Sequence, residues 1–282
     1  MTTTKPITIT TCQSLWDKAH PIIIKETEKH PFLVSMVDGT LEENNFRYYV
    51  QQDVLYLNDF SYCLRQLALK KAPTTNDKNL LIDLADGAEK DEIALHNAYL
   101  KGWNTNEESS SSKQQQHEQM PNTLLYTSYM RRIIDGSDTT YGEGLAALLP
   151  CFWVYMHVGN CMLKLRDELD NTNNNDSSNQ LLRPKHFNDW IDTYAGDEFE
   201  NDVNNYIQLV NDELQRIQTT KQTTQNDTTT TTAPDVNADD NDKKVMNEEL
   251  KQIEDHFMMA CKLEHMFWDQ AITMMEWPAT TI

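Results

Sequence analysis

Apolar residues recur at helical spacing in every segment of this sequence that lies between its polar tracts. No segment alternates apolar and polar residues with the period of two that a half-buried strand requires. A clear inward stripe at three- and four-residue steps is formed by Phe46, Tyr49, Val50, Asp53, Tyr56, Leu57 and Phe60. The sequence therefore predicts an all-α helical bundle, folded as one domain over residues 1–282.

Three tracts of low complexity interrupt the helical pattern, near residues 104–119, 171–180 and 219–242. They are rich in Thr, Asn, Ser and Gln, which cannot bury enough apolar surface to offset the entropy lost on ordering. We therefore expect these inserts to be solvated loops. Hydrophobic residues still make up 39% of the 282 residues, which is enough for a sizeable core.

The charge of the chain argues against two classes of partner. Asp and Glu outnumber Lys and Arg by 44 to 24, a formal net charge of -20. Such an excess repels phosphate backbones and anionic lipid, so we expect neither nucleic acid nor membrane as a partner. The N-terminal residues lack the pattern of a secretory signal, and the five scattered cysteines fit reduced thiols. These features predict a cytoplasmic protein.

Two local signals concern helix geometry. Thr40 stands three residues before Glu43, the spacing of a capping box at a helix N-terminus. Pro150 lies inside the most apolar stretch of the chain, where its ring predicts a bend and frees the carbonyl of Ala146. The residue after Pro150 is the thiol Cys151.

Asp53 and Tyr56 share the inward face of one predicted helix. A carboxylate there has to be hydrogen-bonded or paired, so a structural Asp is one interpretation. Tyrosines also recur on the inward faces of other predicted helices, at Tyr126, Tyr155 and Tyr194. Several phenols from separate helices, together with buried acids, favour a pocket for a flat polar ring.

Glu264 is a second inward acid, surrounded by methionine, leucine and aromatic residues and on one face with Phe267. Desolvation there would raise its pKa toward neutrality, which suits a general acid/base. Cys151 shares a face with Tyr155 at i+4. Spacing alone favours a buried structural cysteine over a nucleophile at this position.

Six strings of this sequence resemble the TenA family, the thiaminase II or aminopyrimidine aminohydrolase group. They follow the family's order and span nearly the whole chain outside the polar tracts. The strings are "HPFLVSMVDGTL", "FRYYVQQDVLYLNDF", "YTSYM", "LAALLPCFWVYMHVG", "WIDTYAGDEF" and "LEHMFWDQA". The LLPC motif is typical of the cysteine-bearing branch of that family.

The resemblance implies a haem-oxygenase-like all-α fold, a homotetramer, and catalysis without a metal or organic cofactor. The implied substrate is a small pyrimidine, and the implied reaction is hydrolysis at its exocyclic CH2. 4-Amino-5-aminomethyl-2-methylpyrimidine would give the hydroxymethyl compound for thiamin salvage, and cleavage of thiamin itself is a related activity.

The resemblance also implies roles for individual residues. The nucleophile falls on Cys151, the catalytic glutamate on Glu264, and the aspartate that binds and activates the pyrimidine on Asp53. The implied pocket aromatics are Tyr56, Tyr126, Tyr155, Tyr194 and Phe267. His157 departs from the family pattern, which has an acidic residue there, and we expect it to affect packing or assembly.

Two alternatives come from other functional classes. Glu92 with His96, and Glu264 with His265, offer ligands for a metal-dependent oxidase on the same helical scaffold. Adjacent residues diverge around a helix, which disfavours Glu264 and His265 as joint ligands. The other alternative is a non-catalytic pyrimidine- or thiamin-binding protein, for which we would expect Cys151 or Glu264 to be replaced.

Overall fold

The computed structural model describes residues 11–92, 99, 118–173, 183–223 and 236–279. Over these residues the chain forms helices and turns and no strand, so the predicted all-α fold is confirmed. The helices are α1 (Cys12–Ala19), α2 (Lys25–Thr27), α3 (Pro31–Asp38), α4 (Glu43–Lys70), α5 (Thr75–Gly87), α6 (Pro121–Asp135), α7 (Tyr141–Asn173), α8 (Lys185–Tyr194), α9 (Asp197–Thr223) and α10 (Val236–Thr273). A π-helical turn, His20–Ile24, joins α1 to α2, and a second, Ala88–Glu92, follows α5.

Helix α4 buries the stripe that the sequence predicts, but it starts differently. Gly39 ends α3 with a positive φ of 79°, a conformation that glycine adopts at little cost. The Thr40 side chain then donates to Asp38 Oδ1 at 2.6 Å and does not cap a helix. Glu42 is the N-cap residue of α4 and makes no side-chain cap, so the predicted capping box was wrong.

Helix α7 is the central helix of the bundle and packs mainly against α10, α9 and α8. Residues 141–150 are buried, and Pro150 lies inside the helix without ending it. Because proline has no N–H, the Ala146 carbonyl loses its usual intrahelical donor. Residues 141–172 are long and apolar enough to cross a membrane, but 72% of the most apolar window is buried in the bundle, as in the core helix of a helical domain.

The polar tracts are shorter than the sequence suggests where the structure describes their ends. Residues 171–173, 219–223 and 236–242 continue helices, so the loop prediction was wrong there. Gln119 is half-buried and donates from Nε2 to Asp59 Oδ2 at 2.6 Å, while its Oε1 accepts from Thr127 at 2.7 Å. The remaining parts of the tracts lie outside the described residues, and the single domain over 1–282 remains our proposal.

Gly159 allows α7 to approach the C-terminal end of α8. A Cβ atom at Gly159 would lie 2.6 Å from the carbonyl carbon of Tyr194 and 2.7 Å from its oxygen. Because these are backbone atoms, a side chain could be accommodated only by moving α8.

We therefore expect Gly159→Ala to lower the free energy of unfolding by about 1–3 kcal/mol, the usual cost of overpacking. It should also disturb Tyr194. Asn160→Ala, one residue further on the exposed side of α7, is the control and should change stability by less than about 0.5 kcal/mol. Denaturant titration of both variants measures the difference, and equal stabilities would contradict the close approach.

Candidate active site

Five helices bring the eight predicted site residues into the middle of the bundle. All are buried except Cys151, which is half-buried. Asp53 and Tyr56 come from α4, Tyr126 from α6, Cys151 and Tyr155 from α7, Tyr194 from α8, and Glu264 and Phe267 from α10.

Glu264 is the acid at the centre of this group. Its side chain is 1% exposed, and the Tyr126 hydroxyl donates to its Oε1 at 2.7 Å. Burial raises the pKa of Glu264 from 4.5 to about 8, while the hydrogen bond from Tyr126 works in the opposite direction. A carboxyl group with such a pKa can both release and take up a proton near neutrality.

Cys151, Tyr56 and Tyr126 lie against one another beside Glu264. The Tyr56 and Tyr126 rings are 4.9 Å apart. Burial and then negative charge on Cys151, Tyr126 and Glu264 raise the pKa of Tyr56 well above 10. Burial and the charges of Glu264 and Cys151 do the same for Tyr126. Both phenols therefore keep their protons at neutral pH, and that of Tyr126 is donated to Glu264.

Tyr155 stands on the other side of the group, near Asp53. Burial raises the pKa of Tyr155, and the charges of Tyr49, Asp53 and Glu264 add to the effect. The Tyr155 ring lies 4.9 Å from that of Tyr194. Phe267 packs between the two halves of the group, 5.5 Å from the Tyr56 ring and 5.9 Å from the Tyr49 ring.

Two further aromatic residues support Tyr155: Tyr49, predicted only as part of the inward stripe of α4, and Trp190, which was not among the predicted residues. Trp190 Nε1 donates to the Tyr49 hydroxyl at 3.2 Å, and the Tyr49 hydroxyl lies 3.5 Å from that of Tyr155. Tyr49 is four residues before Asp53 on α4, and Trp190 is four residues before Tyr194 on α8. This spacing of one helical turn from a predicted site residue is the sequence signal that indicates Tyr49 and Trp190.

A cavity of about 280 Å³ is lined by Phe199, whose ring lies 5.1 Å from the Tyr194 ring, and by Phe152 and Thr193, the sequence neighbours of Cys151 and Tyr194. None of the eight predicted residues lines it. Its rim carries the acidic residues Asp192, Asp197, Glu198 and Asp202. An acidic rim of this kind favours the approach of cations.

Of the residues of the oxidase alternative, His265 does not face Glu264 in the described part of the chain. His265 points away from it, because His265 Nδ1 lies 2.9 Å from Thr27 Oγ1 and its Nε2 lies 3.9 Å from Asp269 Oδ2. The side chains of Glu92 and His96 lie outside the described residues.

The raised pKa of Glu264 predicts a dependence of stability on pH. Between about 4.5 and 8 the unfolded chain releases this proton and the folded chain keeps it, so the free energy of unfolding falls as the pH rises. The slope is at most about 1.4 kcal/mol per pH unit. Below that range the group is neutral in both states, and above it the group is ionised in both.

Glu264→Gln removes this titration. We therefore expect the variant to gain stability relative to the unsubstituted protein as the pH rises from about 5 to 8. Urea titrations of the two proteins at several pH values measure this change. A stability difference that does not vary with pH would contradict the raised pKa.

Comparison with known proteins links this arrangement to one family. The sequence matches the TENA/THI-4/PQQC family over residues 16–234. It is 26% identical over 264 residues to the aminopyrimidine aminohydrolase of Halalkalibacterium halodurans, covering 94% of this chain and 96% of the relative. It is 31% identical over 181 residues to the aminopyrimidine aminohydrolase of Bacillus subtilis, covering 63% and 66%.

Solved structures show the same fold. A TenA family transcription regulator from Silicibacter sp. TM1040 superposes with a TM-score of 0.67 at 20% identity, covering 93% of this chain and 96% of the other. A TenA homologue from P. horikoshii superposes with a TM-score of 0.64 at 22% identity, covering 92% and 98%.

Proposed function

This chain belongs to the TENA/THI-4/PQQC family, and from that premise we propose that it is an aminopyrimidine aminohydrolase, a thiaminase II of thiamin metabolism. Its substrate is 4-amino-5-aminomethyl-2-methylpyrimidine. Water replaces the amine on the exocyclic CH2, which yields ammonia and the hydroxymethylpyrimidine used in thiamin salvage. Cleavage of thiamin at the same carbon is a secondary activity. The similarity to the two aminopyrimidine aminohydrolases supports this assignment.

In the proposed mechanism the Cys151 thiolate adds to a carbon of the pyrimidine ring while Asp53 assists protonation of a ring nitrogen. The electrons placed in the ring then expel the amine from CH2, and Glu264 supplies the proton that the amine takes away. An exocyclic methylene remains. Two easier steps thereby replace one difficult displacement.

The second half of the reaction reverses the first. Glu264, now a carboxylate, removes a proton from water, and the resulting hydroxide adds to the methylene carbon. The ring nitrogen gives its proton back, the C–S bond breaks, and the Cys151 thiolate is regenerated. The overall change is one water consumed and one ammonia released, with no change of oxidation state.

The observation that carries this proposal is the position of Glu264. It is a buried acid with a pKa of about 8, and it lies in the same group of side chains as the Cys151 thiol. A proton donor that becomes a base in the next step needs a pKa near the working pH. Tyr126 supplies a fixed hydroxyl donor on that side.

The aromatic side chains suit a flat heterocycle. Two aromatic faces are present, one formed by Tyr56 and Phe267 and the other by Tyr155 and Tyr194. Asp53 lies near Tyr155. Ring stacking and one carboxylate are a fitting combination for an aminopyrimidine, because the carboxylate accepts from the exocyclic amino group. The acidic rim nearby would attract an ammonium or thiazolium group.

We further propose that the enzyme is cytoplasmic and assembles as a homotetramer, as the TenA resemblance implies. Light scattering coupled to size-exclusion chromatography tests the assembly. A mass of four chains supports it, and a monomer at micromolar concentration contradicts it.

A turnover assay with two substrates tests the function. The purified chain is incubated with the aminomethylpyrimidine and, separately, with thiamin at equal concentrations. We expect a higher kcat/KM for the aminomethylpyrimidine. Binding of both compounds without turnover would instead favour the non-catalytic binding protein.

A further inference from the structure

Four potential metal ligands meet on the side of α7 away from the candidate active site. They are His20 from the π-helical turn, Glu28 just after α2, and His157 with Cys161 from α7. Glu28 Oε1 lies 3.2 Å from His20 Nε2 and 2.8 Å from His157 Nε2, and Cys161 Sγ lies 3.7 Å from His157 Nε2. We call this group the His20–Cys161 cluster.

Two of the separations among these atoms agree with the edges of a tetrahedral zinc site. Zinc binds nitrogen and oxygen at about 2.0–2.2 Å and sulfur at about 2.3 Å, so a tetrahedron puts N and O about 3.3 Å apart and N and S about 3.6 Å apart. The separations of 3.2 Å and 3.7 Å lie close to these values, and the 2.8 Å between His157 Nε2 and Glu28 Oε1 is shorter, so these two atoms would move apart on binding an ion. One ligand atom each of His20, Glu28 and His157 lies within 4.8 Å of the other two, whereas Cys161 stands outside this set of three and reaches the cluster through its contact with His157.

The fold holds the ligands in place. His157 and Cys161 are one turn apart on a rigid helix, the spacing at which two side chains can share an ion. The Trp16 ring packs edge-on against the His157 ring at 5.0 Å and lies 6.2 Å from the His20 ring. The π-helical turn places His20 on the same side as Glu28, and such turns are frequent at functional sites.

In contrast to Nε2, the Nδ1 atoms of His20 and His157 make no hydrogen bond with the described residues. In the described part of the chain, the hydrogen bonds of His20 and His157 all run through Nε2. Without an ion, each Nε2–H donates to Glu28 Oε1. Because Nδ1 is not engaged, each ring can shift its proton to Nδ1 when an ion takes the place of the Nε2 proton.

A second group of ligands, His30 with His265 and Asp269, fails this test. His30 Nδ1 accepts a hydrogen bond from the backbone N–H of Phe32 at 3.1 Å, so the neutral His30 ring carries its proton on Nε2. That protonated Nε2 faces Asp269 Oδ1 at 3.1 Å and has no lone pair for a metal. The comparison singles out the His20–Cys161 cluster.

We propose that His20, Glu28, His157 and Cys161 bind one Zn²⁺ ion per chain. The ion fastens the π-helical turn and α2 to the central helix α7. The ion has no part in the pyrimidine reaction. His157 follows Tyr155 by two residues, so its side chain points about 200° away around α7 and faces away from the candidate active site. The site accounts for the histidine at position 157, which we had expected to affect packing or assembly.

Zinc titration of chelator-stripped protein, in competition with a chromogenic chelator, tests the site. We expect one equivalent to bind. The double variant His157→Asn with Cys161→Ser should bind zinc more than about 100-fold more weakly. Mutating a residue that only hydrogen-bonds to a metal ligand already lowers metal affinity by about 10- to 100-fold, and this variant removes two ligands. Cys151→Ser and His265→Asn are the matched controls, and both should bind zinc as the unsubstituted protein does.

Cobalt(II) provides a second readout on the intact protein. A tetrahedral site with one thiolate should give intense visible bands and a sulfur-to-cobalt charge-transfer band, and Cys161→Ser should lose only the latter. Failure of the unsubstituted protein to bind zinc, or undiminished affinity in the double variant, would overturn the proposal. The cluster would then be two histidines, His20 and His157, that both donate hydrogen bonds to the Glu28 carboxylate.

Discussion

Cys151→Ser is expected to fold normally and to lose at least about 10³-fold in kcat for the aminomethylpyrimidine. Serine is close to cysteine in size, yet its hydroxyl is far less nucleophilic at neutral pH. Loss of the nucleophile costs up to about 10⁶-fold in other hydrolases. The half-buried position of Cys151 next to Tyr56 allows the substitution without opening a cavity. Steady-state kinetics and a thermal melt of the variant measure both parts of the prediction.

Cys261→Ser is the matched control, because Cys261 is the other thiol near Glu264. It lies three residues before Glu264 and is only 2% exposed. Burial and the charge of Glu264 raise the pKa of Cys261 well above 9, which makes it a poor nucleophile. We expect Cys261→Ser to keep most of the activity. Activity that survives in Cys151→Ser but disappears in Cys261→Ser would reverse the assignment.

Glu264→Gln is expected to lower kcat by roughly 10²–10⁴, the usual contribution of a positioned acid/base. Glutamine keeps the size of the side chain and can still accept the hydrogen bond from Tyr126. It cannot supply a proton to the departing amine or remove one from water. Binding of the hydroxymethyl product should therefore change little, which isothermal titration measures alongside steady-state kinetics.

Asp53→Asn separates proton transfer from binding. Asp53 is proposed to hold the ring and its amino group, so its loss should weaken product binding as well as turnover. If Glu264→Gln loses binding and keeps kcat, Glu264 is a pocket residue and the proton-transfer role belongs elsewhere.

Helical spacing predicts which face of each helix is inward, and for α4 and α10 that was sufficient. Asp53, Tyr56 and Glu264 are buried as their stripes indicate. Spacing within one helix does not say which inward residue meets a residue of another helix. The chain from Trp190 through Tyr49 to Tyr155 joins α8, α4 and α7, and these contacts follow from packing over long sequence separations.

Local signals were less reliable where the tertiary structure offers another partner. Thr40 has the capping-box spacing, but after Gly39 its hydroxyl bonds to Asp38. The ends of the polar tracts continue α7, α9 and α10, because a helix can extend past its apolar stripe. His157 was noticed only as a departure from a pattern, since its partner Glu28 lies 129 residues away in sequence.

The most direct test of the proposed function is the stoichiometry of one reaction. The purified chain is incubated with 4-amino-5-aminomethyl-2-methylpyrimidine in water enriched in ¹⁸O, and ammonia and the pyrimidine product are quantified together. We predict one ammonia for each hydroxymethylpyrimidine formed, with ¹⁸O in the new hydroxyl group and product formation at least about 10³-fold slower with Cys151→Ser. Unchanged substrate after incubation with the unsubstituted protein would contradict the assignment.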